Sequence, residues 1–82
     1  MFYTYILFSV KLGVYYTGSS KNLDLRVQEH NRGKTAFAAK GMPWVLIYSK
    51  GFLSRAKAME LERKIKKRGA QRFLDDLNLQ IG

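Results

Sequence analysis

The start of the chain restricts the fold more than any other segment. From Phe2 to Phe8, Tyr3, Tyr5 and Leu7 fall on one side of an extended backbone, and Phe2, Ile6 and Phe8 on the other. Aromatic and β-branched residues favour a strand. A strand apolar on both faces has to be covered on both, so a sheet with helices on each side is expected. Ser9-Val10-Lys11-Leu12-Gly13 suits a hairpin loop, with Gly13 free to take positive φ, and Val14 to Gly18 is the partner strand. With 82 residues in all, the cover must come from the segments after the hairpin.

The remaining signals supply it. Ser19-Ser20-Lys21-Asn22 reads as a turn, with Ser20 or Asn22 capping a helix from Leu23 to Asn31 that stops near Gly33. Residues 32–43 show no period, and Gly41, Met42 and Pro43 read as loop before a third strand, Trp44 to Ser49. Ser54 caps a second helix, Arg55 to Arg68. Gly69 suits its C-terminal end, and Lys66, Lys67 and Arg68 suit the negative pole of its dipole. A short helix from Ala70 to Leu77 completes the order ββαβαα. This predicts one α/β domain over residues 1–82, a three-stranded, mainly antiparallel sheet flanked by helices.

Charge narrows the partner. Fifteen Lys and Arg against six Asp and Glu leave a net +9, and from Arg32 to Met59 there are six basic residues and no acid. Such a surface favours a polyanion, of which nucleic acid is the commonest, although solvated lysines on an ordinary basic protein would look the same. The chain has no cysteine, which excludes disulfides, thiolate metal sites and cysteine nucleophiles. No apolar run is long enough to span a membrane, and Met1 to Val10 lacks the basic start and small-residue end of a signal peptide. The expected location is the cytoplasm.

Several side chains then stand out. Arg26 and His30 lie four apart, neighbours at the edge of a helix whose inward face is marked by Leu23 and Val27. Taken singly, Arg26 is as readily a solvated cation and His30 a satisfied histidine. On the second helix Ala58, Leu61 and Ile65 define the buried stripe. At about one hundred degrees per residue Glu62 lies only some forty degrees from Ala58, while Glu60 points away. Glu62 therefore needs a partner: a cation, a donor or a metal. Asp24 and Glu29 are expected to face outward. Tyr5 and Tyr16 are expected close to each other across the hairpin, either as packing or as two hydroxyls on one face. A single carboxylate suits one Mg²⁺ that keeps its waters better than a two-metal site.

A phenol, a cation, an imidazole and a carboxylate are the side chains that phosphodiester cleavage uses. Their arrangement resembles the GIY-YIG nuclease family, in its small stand-alone bacterial form. Tyr3-Thr4-Tyr5 takes the place of the first motif and Tyr16-Thr17-Gly18 that of the second, with Tyr for Gly and Thr for Ile as departures. Leu23 to Asn31 resembles the following helix, and Ala58 to Lys66 the metal-binding segment. The resemblance implies a Mg²⁺-dependent endonuclease, with Mn²⁺ as substitute, acting on DNA rather than RNA and leaving 5′-phosphate and 3′-hydroxyl ends. It implies Tyr16 at the attacking water, Tyr5 positioning it, Arg26 on the scissile phosphate, His30 in proton transfer and Glu62 on the metal. Lys21, Arg32, Lys34 and Lys40 would contact the backbone. The family often adds a C-terminal polar residue, frequently asparagine; Asn78 is a candidate for it that the local motif does not assign. Two other readings stay open: a binding module without turnover, and a nuclease subunit active only with a partner.

Overall fold

The alternation at the N-terminus is realised as a β-hairpin. In the computed structural model, which describes residues 1–81 and only the backbone of 79–81, β1 (Phe2–Ser9) pairs antiparallel with β2 (Val14–Ser20). Gly13 closes the turn at φ 67°, its N–H donating to the Ser9 carbonyl at 2.7 Å. The other edge of β1 pairs antiparallel with β3 (Trp44–Phe52), giving the order β2-β1-β3. The sheet is antiparallel throughout, β1 is its centre, and β2 is left with a free edge.

The two apolar faces of β1 are covered from opposite sides. On one, Tyr5, Leu7 and Trp44 form a buried cluster against Tyr16, Leu23, Val27 and Met42. α1 (Leu23–Asn31) and α2 (Ala36–Gly41) cover it. On the other, Thr4 and Ile6 are fully buried beneath α3 (Arg55–Arg68), which contributes buried Ala58 and Ile65. The Thr4 hydroxyl donates to the Ala58 carbonyl at 2.6 Å, tying strand to helix. α4 (Ala70–Ile81) packs alongside, with Phe73 edge-on to Tyr48 at 5.2 Å.

The caps agree with the sequence. Asn22 accepts from the Leu25 N–H at 3.1 Å, while Ser20 instead bonds the Asn22 backbone and shapes the turn before it. Ser54 caps α3, and Gly69 ends it at φ 95°. The expected order ββαβαα is corrected to ββααβαα, because residues 32–43 are not all irregular. Thr35 accepts from the Ala38 N–H and starts α2, a helix too short to show a period, and Gly41 lies inside it. α4 runs past Leu77 to Ile81. Among the described residues, no helix is long and apolar enough to cross a membrane.

Candidate functional site

The site is built on the hairpin. Tyr5 lies opposite Gly18, and Leu7 opposite Tyr16, so both tyrosines are on the face beneath α1. Tyr5 is buried, with 1% of its surface exposed. Its ring lies directly over Gly18: a Cβ there would sit 2.6 Å from the Tyr5 hydroxyl oxygen and 3.3 Å from Tyr16 Cε1. The Tyr-x-Gly spacing thus lets one aromatic ring pass over the backbone beside the next.

α1 brings the nitrogen groups to this face. The His30 ring lies 4.4 Å from the Tyr16 ring, centre to centre, and edge-on to Trp44 at 5.5 Å. Burial lowers the His30 pKa from its ordinary value, against a hydrogen bond to the Arg26 backbone that raises it, so the ring favours its neutral form. Arg26 is half exposed, its Nε 3.4 Å from Glu29. Tyr16, Arg26, Glu29, His30 and Lys34 line one cleft of about 300 Å³. A second, of about 440 Å³, holds Ser19, Lys21, Arg26 and Arg55. Arg26 belongs to both and stands between them.

Glu62 comes from the other layer. Tyr16 and Gly18 face α1, whereas Thr17 and Ser19 alternate to the side where α3 lies. Glu62 accepts from the Ser19 hydroxyl at 2.8 Å and pairs with Lys66 at 2.8 Å. Ser19, which it holds, lines the cleft that Arg26 also lines. Partial burial pushes its carboxyl pKa up, but the Lys66 and Ser19 hydrogen bonds and the Lys66 and Arg63 charges outweigh this and hold it below the usual value. The electrostatics of Tyr5 link the two layers. Its pKa is pushed up to about 12, first by burial and then by Tyr16, Glu62 and Glu29, with Arg26 opposing. Tyr5 therefore remains protonated and able to donate.

The four residues Tyr5, Tyr16, Arg26 and His30 are gathered on one face, and Glu62 approaches from the opposite one. Of the expected phosphate contacts, Lys21 and Lys34 line the two clefts, Lys34 bound to Glu29 at 2.6 Å. Arg32, at the end of α1, and Lys40, in the last turn of α2, are exposed and line neither. Asn78 is exposed on α4. Glu29 was expected outward; its side chain is only 22% exposed, because Arg26 and Lys34 draw it between them. Three contributors were missed. Ser19 is invisible without the strand register, and Phe37, 6.4 Å from Tyr16, sits on the unrecognised α2. Asn31 clamps α1 to β3, accepting from the Trp44 N–H at 2.6 Å and donating to its carbonyl at 3.1 Å. Thr35 followed by an Ala-rich stretch was the available signal for α2.

Among the described residues, no three His, Asp or Glu side chains cluster as metal ligands. The donor set is one carboxylate with a neighbouring hydroxyl, which suits a hard ion that retains water and binds phosphate, as Mg²⁺ does.

Comparison with known proteins places the chain in a family. The sequence profile of the GIY-YIG catalytic domain matches residues 1–74. A UPF0213 protein of Staphylococcus haemolyticus is 38% identical over 65 residues, covering 78% of each chain. A UPF0213 protein of Oceanobacillus iheyensis is 40% identical over 52 residues, 62% of this chain and 60% of that one. The solution NMR structure of a UPF0213 protein from Bacillus halodurans superposes with a TM-score of 0.57 at 32% identity, covering 96% of this chain and 85% of that one.

Proposed function

The chain belongs to the GIY-YIG catalytic-domain family, as a small UPF0213 protein, and from that premise we propose that it is a metal-dependent endonuclease hydrolysing phosphodiester bonds, DNA in preference to RNA. The observation that carries this reading is the gathering of Tyr16, Arg26 and His30 around one cleft, over a buried and protonated Tyr5.

That geometry supports a definite division of roles. The Arg26 guanidinium, standing between two clefts, holds the scissile phosphate and offsets the charge that grows on its oxygens. The Tyr5 hydroxyl donates to the attacking water and orients it. Tyr16 contacts the same water, and the neutral His30 ring beside it accepts the proton that leaves. The products carry 5′-phosphate and 3′-hydroxyl ends. Glu62, with Ser19 beside it, would hold one Mg²⁺ or Mn²⁺ once Lys66 gives way. Such an ion neutralises phosphate oxygens and the leaving oxygen. Lys21 and Lys34 contact phosphates on either side of Arg26, with Arg32 and Lys40 farther along the same face, and supply affinity without sequence preference.

A second reading has its own support. Glu62 is already neutralised by Lys66 and bonded by Ser19, as in a structural ion pair, which is what a binding module without turnover would need. Cleavage of labelled single-stranded, duplex, flap and branched DNA, and of RNA, separates the two. Cutting that requires Mg²⁺ or Mn²⁺, stops with EDTA and is lost in Tyr16→Phe and Glu62→Gln is the expected result. Salt-sensitive binding with no cutting of any substrate would replace the nuclease by the binding module; cutting that starts only with an added partner would make the chain a subunit.

A further inference from the structure

The α3–α4 junction carries a feature that the catalytic reading does not use. A concavity of about 370 Å³ there is lined, among the described residues, by Lys64, Lys67, Arg68 and Arg72 alone. Four cations converge with no acid in the lining. Arg68 is held in place by Asp76, which accepts from its Nε and Nη2 at 3.0 Å each. Lys64 leans loosely on Glu60 at 3.6 Å. Lys67 and Arg72 have no acidic partner among the described residues. Like charges held this close repel, and an anion between them would remove that cost.

A groove with lining residues in common with both lies between the concavity and the cleft at Tyr16. This groove, of about 710 Å³, tracks the free edge of β2, with Tyr15, Tyr16 and Thr17 on one wall and Lys66, Arg68, Gly69 and Arg72 on the other. It shares Tyr16 with the site and Arg68 and Arg72 with the basic corner. We infer that this corner is a second phosphate subsite, binding the backbone of the same nucleic-acid strand whose scissile phosphate lies at Arg26. The inference rests on the nuclease reading for what enters the groove. The occupant is a strand rather than a small anion because the basic lining does not end at the corner: Lys66 carries it into the groove whose other wall holds Tyr16. The longest dimension of the molecule is 32 Å. At about 3.4 Å per nucleotide step, a strand of roughly ten nucleotides covers the whole path.

The test uses the full chain carrying Glu62→Gln, so that nothing is cut, and a labelled twenty-nucleotide single strand. Binding is measured from low to moderate salt for two triples, each lowering the net charge from +9 to +6: Lys64→Gln/Lys67→Gln/Arg72→Gln at the corner, and Lys11→Gln/Lys50→Gln/Lys57→Gln as the control for charge alone. The corner triple should reduce the slope of log affinity against log salt by about 2 to 3, and the affinity by about tenfold or more, with the control changing the slope by less than about 1. Melting curves of both triples verify folding, and the corner triple should melt no lower than the parent. Equal losses in the two triples would overturn the subsite. So would inorganic phosphate raising the parent's melting temperature as much as the oligonucleotide does, since that marks a small-anion site. Wild-type cleavage run alongside separates the two proposals: cutting with equal losses removes only the subsite, whereas corner-specific loss without cutting keeps the subsite and removes the nuclease.

Discussion

Replacing Gly18 by alanine would test whether the two tyrosines are held as the hairpin register demands. The new Cβ would lie 2.6 Å from the Tyr5 hydroxyl oxygen, 2.8 Å from its Cζ and 3.3 Å from Tyr16 Cε1. Tyr5 is 1% exposed and locked among Leu7 and Trp44, so its ring has nowhere to go. Overpacking of this kind costs about 1–3 kcal/mol. The smaller conformational freedom of alanine in the unfolded chain returns about 0.4–1 kcal/mol. The net loss is then about 1–2 kcal/mol, a fall in Tm of roughly 5–15 °C for a domain of this size. Urea and thermal unfolding, monitored by the fluorescence of Trp44, the sole tryptophan, measure it. Tyr5→Phe removes the atom at 2.6 Å. The double variant should therefore lose less than the sum of the singles, by about 0.5–1 kcal/mol. Cleavage should fall in Gly18→Ala even at temperatures where the protein stays folded, because the displaced ring is a site residue. An unchanged Tm, or strictly additive losses, would refute the contact and the packing argument with it.

The other expectations are independent of that contact. His30 is the only histidine, so a one-dimensional NMR titration reads its pKa without assignment, and the value should fall below 6.5. A depressed folded-state pKa stabilises above the unfolded value and is lost as pH falls through the folded one. The urea midpoint of the wild type should therefore drop between pH 7 and pH 5 by more than that of His30→Gln. Ser19→Ala removes a donor to Glu62: the Glu62 pKa, tracked by carboxyl NMR, should move up toward its ordinary value, with about 0.5–1.5 kcal/mol of stability lost. Asn31→Ala breaks both bonds to the Trp44 backbone and should cost about 2 kcal/mol in urea unfolding, with activity falling although Asn31 touches no cleft.

How far the site was legible depended on how local each determinant was. Tyr5 and Tyr16 sharing one face of a hairpin, and His30 one turn beyond Arg26, come from strand and helix periods alone; the register sets the two tyrosines diagonally, their ring centres 6.4 Å apart, and brings the His30 ring to 4.4 Å from Tyr16. The border position of Glu62 was equally readable, and its side chain is 19% exposed against 49% for Glu60. Glu29 was misjudged because its helix period points it outward, while Lys34, on the loop after α1, pulls it back. α2 was missed because six residues are fewer than two helical turns and leave no pattern to detect.

What the sequence determined by itself, then, was the set of elements with strong periods and caps, and which residue of each turns inward. Those properties depend on neighbours a few positions away, where backbone geometry leaves few choices. The tertiary structure alone decided that Glu62 approaches from beneath the sheet while Tyr16, Arg26 and His30 lie above it. That separation arises because β1 takes the centre of the sheet and buries both of its apolar faces at once, which sets helices on each side of it. The basic corner between α3 and α4 has the same origin. Lys67 and Arg68 read in sequence only as complements to the negative pole of a helix dipole, and the turn at Gly69, by folding α4 back against α3, makes them one concave surface with Lys64 and Arg72.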